Sequence, residues 1–374
     1  MKALITGAAG FIGSQLAHRL WKDGSELILI DNFSYGREDN LIFPDHDFTQ
    51  EIIRMDVRNK EGIAALLRGG DVDFIYNIAG IAPLPDCQLN PVEAVDVNLN
   101  GLVNLLENGR KYGVKKVIQA STNAMYENET EFPTKENSFL PPTLIYPNTK
   151  YCAERFAQSF CDTYGMSVTC LRFANVYGPH IDCLRKQPPF VAYMIRELFY
   201  NRTPIFHSTG EQRRDYIFVE DLIDLAIAVQ KSTGFDCVNV SSNKNYSVNE
   251  MYDIAQKIMG KNIPATYADD KHYWEKYPGL YGGGYSIKDE ILNHEINKYS
   301  LCDNSLAKEK YGWSPKVGIE EGLRRVVENE CALLSGLGEA YVGQNSGFYS
   351  DVQLRETDCS SGGAACGRDG PVHK

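Results

Sequence analysis

Residues 2–13 read Lys2-Ala3-Leu4-Ile5-Thr6-Gly7-Ala8-Ala9-Gly10-Phe11-Ile12-Gly13, and this stretch decides the fold. Lys2 to Thr6 is a short apolar run of strand length. Three glycines follow at once, and Phe11, Ile12, Leu16 and Leu20 continue with helical spacing. A second strand-like run, Leu27 to Ile30, ends in Asp31. A pyrophosphate needs this arrangement. One glycine permits the tight turn, another lets the backbone approach the anion, a third allows close helix–strand packing, and the helix N-terminus faces negative charge. The glycines are spaced three and three (Gly7, Gly10, Gly13) rather than as Gly-x-Gly-x-x-Gly, so their place between strand and helix carries the reading. Gly7, Gly10, Phe11, Ile12 and Gly13 are cofactor-binding candidates. Asp31, with Asn32 beside it, would accept from the adenosine ribose hydroxyls and repel a 2′-phosphate, which favours NAD over NADP. Arg37, nearby, is the cation a 2′-phosphate would use.

Outward from this unit the chain alternates. Strand-like runs at Glu51–Met55, Phe74–Ile78, Lys116–Ala120 and Val168–Phe173 are separated by helical stretches at Glu61–Arg68, Pro91–Tyr112 and Pro147–Tyr164. Such alternation predicts a parallel sheet covered on both faces, with ligands beyond the carboxyl ends of the strands. Gly7, Asp31, Thr122 and Asn175 fall at such ends. The expected organisation is a cofactor-binding domain over 1–178, joined by 215–240, and a smaller lobe over 179–335 with a return helix at Glu220–Lys231. Residues 268–300 hold Tyr273, Trp274, Tyr277, Tyr281 and Tyr285 with Gly282-Gly283-Gly284, and read as a lid or a surface loop. From about Gly336 periodicity is lost, and the polar, small-residue composition of 351–374 predicts disorder at the end of a 336–374 tail.

The second informative stretch is Tyr146-Pro147-Asn148-Thr149-Lys150. Tyrosine and lysine four apart on a helix project from one face. An ammonium near a phenol favours the phenolate, and a net drop of roughly one to three pH units from about 10 would let the tyrosine act as a base. Thr122, at a strand end, offers a hydroxyl to relay the proton or donate to a developing ketone oxygen.

Composition narrows the partners. The chain has 374 residues and a formal net charge of −11, which argues against a nucleic-acid or anionic-membrane partner. Met1 leads straight into a strand, and no apolar run reaches the length of a membrane span. The ten cysteines include no Cys-x-x-Cys pair, so they read as free thiols of a cytoplasmic protein, with no zinc or other metal site.

Taken together, Gly-x-x-Gly-x-x-Gly and the downstream Tyr-x-x-x-Lys resemble a short-chain dehydrogenase/reductase. The chain length and C-terminal half resemble its extended branch, the NAD-dependent nucleotide-sugar epimerases and dehydratases. Further matches come in family order: Asp56-Val57, Asn98 near Gly101, Ser121-Thr122, Asn175-Val176-Tyr177-Gly178-Pro179, and Arg214-Asp215-Tyr216 before Val219-Glu220-Asp221. The resemblance runs to about residue 330. It implies an α/β, Rossmann-type doubly wound parallel sheet with a smaller C-terminal substrate-binding lobe. It also implies a nucleotide-diphosphate sugar as substrate and a homodimer paired through the helices near 91–112 and 147–164. By the same resemblance Thr122, Tyr146 and Lys150 are catalytic; Asp56, Val57, Ala79, Asn98 and Lys150 join the cofactor set; Cys87, Thr122, Asn123, Asn175, Phe206 and Arg214 face the substrate. Asn98 is as plausibly a local backbone satisfier, and Phe206 reads more readily as an ordinary buried strand residue.

The residues after Thr122 discriminate among reactions. Family dehydratases carry Thr-Asp-Glu here, and decarboxylases a glutamate two positions after the serine or threonine; this chain has Thr122-Asn123-Ala124. Epimerisation needs no second carboxylate, so carbon 4 is the first choice and carbon 2 the second. A dehydrogenase or 4-keto reductase, another lyase on the same fold, and a catalytically silent NAD-binding protein remain as alternatives. The chain departs from the family at Asn77-Ile78-Ala79-Gly80, where His-x-Ala-Ala is usual, and at Cys87, where a substrate-contacting serine is usual.

Overall fold

Seven strands form one wholly parallel sheet in a computed structural model that describes residues 1–138, 140–185 and 188–337. In chain order they are β1 (Lys2–Thr6), β2 (Glu26–Asp31), β3 (Ile52–Arg54), β4 (Phe74–Asn77), β5 (Lys116–Thr122), β6 (Val168–Phe173) and β7 (Phe235–Val240). Their spatial order is 3-2-1-4-5-6-7. Every residue of β5 and β6 is buried, as expected of strands covered on both faces, the polar Gln119, Ser121, Thr169 and Arg172 included. On one face the helix Phe11–Lys22 packs against Val219–Ala228. On the other, Lys60–Leu67, Gly101–Tyr112 and Ile145–Tyr164 pack side by side.

The helix Ile145–Tyr164 tolerates Pro147 because a first-turn N–H has no intrahelical partner to lose. Its buried stripe, Pro147, Lys150, Ala153, Glu154, Ala157 and Cys161, recurs every three or four residues and carries two ionisable groups inward. The helical run from Pro91 is interrupted by a π turn over Asp96–Asn100, which holds Asn98.

The chain reverses direction in the sheet between β1 and β4, so a crevice opens beyond their carboxyl ends. Within 215–240, Val219–Ala228 packs on the large sheet's face and β7 joins that sheet, while Arg213–Phe218 lies in a separate three-stranded sheet between Asn175–Tyr177 and Asn245–Ser247. Ile205–His207 pairs with Thr266–Ala268. Residues 268–300 fold into short helices around a small core of Trp274, Tyr277, Leu280 and Leu292, which packs against Leu89. This segment is neither an extended loop nor separate from the rest, since its C-terminal end reaches the crevice. The expected disordered tail lies outside the described residues. Of the described cysteines, all eight are free.

Candidate active site

A cleft of about 540 Å³ runs along the crevice. At one end it is lined by Gly7, Gly10, Phe11, Ile12, Gly13, Asp31, Asn32, Met55, Val57 and Ala79. Gly7 has φ +68°, and a Cβ there would stand 2.8 Å from the backbone nitrogen of Ala79. A Cβ on Gly13 would stand 2.0 Å from the Gly7 carbonyl oxygen. The turn is therefore closed to side chains, leaving backbone and a helix N-terminus facing the cleft, which suits a pyrophosphate. Asp31 caps the end of β2, its carboxylate accepting from the N–H groups of Ala9 (2.9 Å) and Phe33 (2.7 Å). Its burial pushes it up, and those two hydrogen bonds pull it back. Arg37 pairs with Asp39 and with Asp182 (3.3 Å), so two carboxylates already hold the cation a 2′-phosphate would need. The donor set fits NAD.

At the centre lie Thr122, Asn123, Ala124 and Tyr146. The Thr122 hydroxyl accepts from the Ala124 N–H at 3.0 Å. Lys150 lies just beneath the wall, its Nζ donating to the Ala120 carbonyl at 3.1 Å. A Cβ on Gly80 would stand 3.1 Å from that Nζ and 2.9 Å from Asn98 Oδ1, so the departure from Ala at this position makes room for the lysine. The expected lowering of the tyrosine is not what the geometry produces. Burial pushes the Tyr146 phenol up to about 12, with the Thr122 hydroxyl offsetting part of the rise. Burial pushes Lys150 down to about 8. Desolvation is the largest influence on each, and Lys150 directs its ammonium to the Ala120 carbonyl.

The far end is lined by Asn175, Arg185, Arg214, Glu295, Lys298 and Ser300. Arg214 donates to the carbonyls of Arg213 (3.2 Å), Glu295 (2.9 Å) and Ile296 (3.3 Å), and its desolvation lowers it. Asn175 donates to the Asp215 carbonyl at 3.0 Å, while Arg213 turns away to Glu250. Lys298 pairs with Glu295 at 3.3 Å. Asn123 Nδ2 is buried at the wall and finds no acceptor among the described residues.

Four expected site residues stand elsewhere. Cys87 is wholly buried, donating to the Ile81 carbonyl at 3.3 Å, and its burial raises it to about 12. Phe206 is a core residue stacked edge-on against Tyr252 and Phe190. Asn98 clasps Ile81 through both its N–H (2.8 Å) and its carbonyl (2.9 Å) and donates to Thr149 at 3.0 Å. It ties the loop after β4 to the Tyr146 helix and does not face the cleft. Asp56 lies behind Val57; burial alone would raise it, but Arg58 and Asn32 hold it at about 2. Tyr35, Arg185, Glu295, Lys298 and Ser300 were missed. They lie in segments without motif spacing, and only the folding of 268–300 onto the cleft brings the last three there.

A model of the family described as "NAD dependent epimerase/dehydratase family" matches residues 3–241. The UDP-glucose 4-epimerase of Mycolicibacterium smegmatis is 29% identical over 330 residues, 88% of this chain and 98% of that protein. The crystal structure of UDP-glucose 4-epimerase from Thermotoga maritima with UDP-glucose is 28% identical, with a TM-score of 0.78 over 89% of this chain and 100% of that one. The Thermus thermophilus UDP-glucose 4-epimerase complex with NAD is 27% identical, with a TM-score of 0.73 over 88% of this chain and 98% of that one.

Proposed function

Because the chain belongs to the NAD dependent epimerase/dehydratase family, we propose that it is an NAD-dependent nucleotide-sugar epimerase that inverts carbon 4 of the sugar. The observation that carries the reading is the cleft centre, where Thr122 and Tyr146 meet over Lys150 with no carboxylate beside them among the described residues. Asn123 and Ala124 occupy the wall where elimination or decarboxylation would need a carboxylate. The acids that do line the cleft are engaged: Asp182 with Arg37, Glu93 with Arg58, Glu295 with Lys298, and Asp31 with backbone N–H groups.

NAD, when bound, supplies the hydride acceptor and a positive charge that favours the phenolate. Gly7, Gly10 and Gly13 would hold its pyrophosphate, and Asp31 its adenosine ribose. Tyr146, as phenolate, takes the proton from the carbon-4 hydroxyl and returns it once the keto-sugar has turned over. The Thr122 hydroxyl donates to the oxygen that becomes the ketone, and the Lys150 ammonium stabilises the tyrosine anion. Arg214 and Asn175 would hold the diphosphate, for which a part-buried guanidinium whose bonds among the described residues go to carbonyls is suited. A homodimer would bury Phe156 and Tyr164, large side chains exposed on the helix Ile145–Tyr164.

The test incubates the purified protein with UDP-, GDP-, CDP- and dTDP-sugars and catalytic NAD, followed by mass-resolved chromatography. A new peak of unchanged mass supports epimerisation and names the sugar. A product lighter by water or carbon dioxide overturns it, and dependence on stoichiometric NAD or NADH transfers the reading to a dehydrogenase or reductase.

A further inference from the structure

Beneath the cleft lies a buried ionic unit with no part in the chemistry described so far. Glu154 and Arg172 pair at 2.6 Å with side chains 4% and 8% exposed. The guanidinium takes both carboxylate oxygens, Nε to Oε1 at 3.0 Å and Nη2 to Oε2 at 2.6 Å. Its remaining amine donates to the Tyr126 hydroxyl (2.6 Å) and the Glu136 carbonyl (2.8 Å). The Ser121 hydroxyl donates to Glu154 at 2.6 Å, and the Cys237 thiol does so at 3.4 Å. Ser121 immediately precedes Thr122 on β5.

Tyr146, Lys150 and Glu154 stand at i, i+4 and i+8 on one helix, a single stripe. Each grips the end of the same strand: Tyr146 meets Thr122, Lys150 meets Ala120, and Glu154 meets Ser121. We infer that Glu154 is a positioning residue for the Tyr146–Lys150 pair: held by Arg172 and accepting from Ser121, it bolts the helix to β5 one turn from the Lys150 ammonium. The inference rests on the proposed role of that pair.

The charges around Lys150 are few. Glu154 faces it from its own helix, Cys87 from Leu84–Leu89 and Cys170 from β6. Burial pushes the Cys87 thiol up, and the hydrogen bond with Cys237 together with burial pushes Cys170 up, so at neutral pH both thiols hold their protons. Glu154 in turn is faced by Arg172 and Cys170 from β6, Cys237 from β7 and Ser121 from β5. Arg172 offsets the cost of burying Glu154, and removing one partner alone would strand the other's charge.

The test therefore removes both charges, Glu154→Gln with Arg172→Met, and follows the ε-carbon of 13C-labelled lysine by NMR through a pH titration, with Lys150→Met assigning the resonance. The Lys150 midpoint is expected to fall measurably, since the carboxylate that favours its charged form is lost. In turnover, kcat at pH 8 falls while KM and NAD affinity stay within about threefold. An unshifted midpoint with kcat and KM unchanged would overturn the inference. The conservative Ser121→Ala, which keeps both charges, is expected to lower kcat about threefold with the midpoint unmoved; unchanged kcat would refute the bolt even if the double variant fails to fold. If the wild-type protein turns over no sugar, the proposed function fails, yet the Lys150 titration still decides this inference.

Discussion

At its nucleotide end the cleft is walled by backbone. Gly7, Gly10 and Gly13 line it from one contiguous turn that opens a helix, with Asp31 clamping that turn from the end of the next strand. At its far end it is walled by side chains from well-separated segments: Asn175, Arg185, Arg214, Glu295 and Lys298. A backbone cradle is rigid and tolerates no added atoms. A side-chain wall can be retuned one residue at a time. Recognition of the cofactor and of the substrate should therefore fail in different ways, with Tyr146 where the two ends meet.

Tyr146→Phe should have the largest effect, a loss of about 10²–10⁴-fold in kcat with NAD retention intact, measured by turnover and cofactor fluorescence. Near-normal turnover would refute the assignment of the base. Gly13→Ala, whose Cβ would lie 2.0 Å from the Gly7 oxygen, should weaken NAD binding by about 100-fold, near 3 kcal/mol. Arg214→Met should leave NAD binding unchanged and raise the KM of the nucleotide sugar by about 10- to 100-fold, since it removes a charged donor from the far end alone. Were the arginine variant to lose NAD, the two ends would not be separable.

Lys150→Met should abolish most activity and yet stabilise the fold. Burial holds Lys150 down at about 8 from an ordinary 10.5, so at neutral pH its charged form costs the folded state on the order of 2–3 kcal/mol. A folded-state value below the unfolded one means this cost is present below about pH 8 and fades as pH rises towards 10.5. The gain in melting temperature over wild type should shrink across that window; a constant gain would contradict a charged Lys150. Cys87→Ser should be the mildest change, under about threefold in KM, because its thiol faces the Ile81 carbonyl and not the cleft.

Legibility in the sequence follows the same division. The glycine turn, Asp31, Thr122 and the Tyr146–Lys150 spacing were readable because strand ends, helix periodicity and turn chemistry are set by neighbouring residues. Cys87 and Phe206 lie off the cleft because a motif position states where a residue falls along the chain, while the packing of the loop around Ile81 and of Tyr252 and Phe190 against Phe206 decides which way each faces. Lys298, Glu295 and Ser300 carried no signal, since only the small core around Trp274 and Leu280 folds their segment back onto the cleft.

The sequence by itself determined the parallel sheet, the closed glycine turn and the pairing of a tyrosine with a lysine one helical turn away, all of which depend on contiguous residues. Only the tertiary structure decided the electrostatics of that pair and the composition of the far wall of the cleft. Desolvation of Tyr146 and Lys150, and the Glu154–Arg172 charge beneath them, arise from segments distant in the chain that exclude water together.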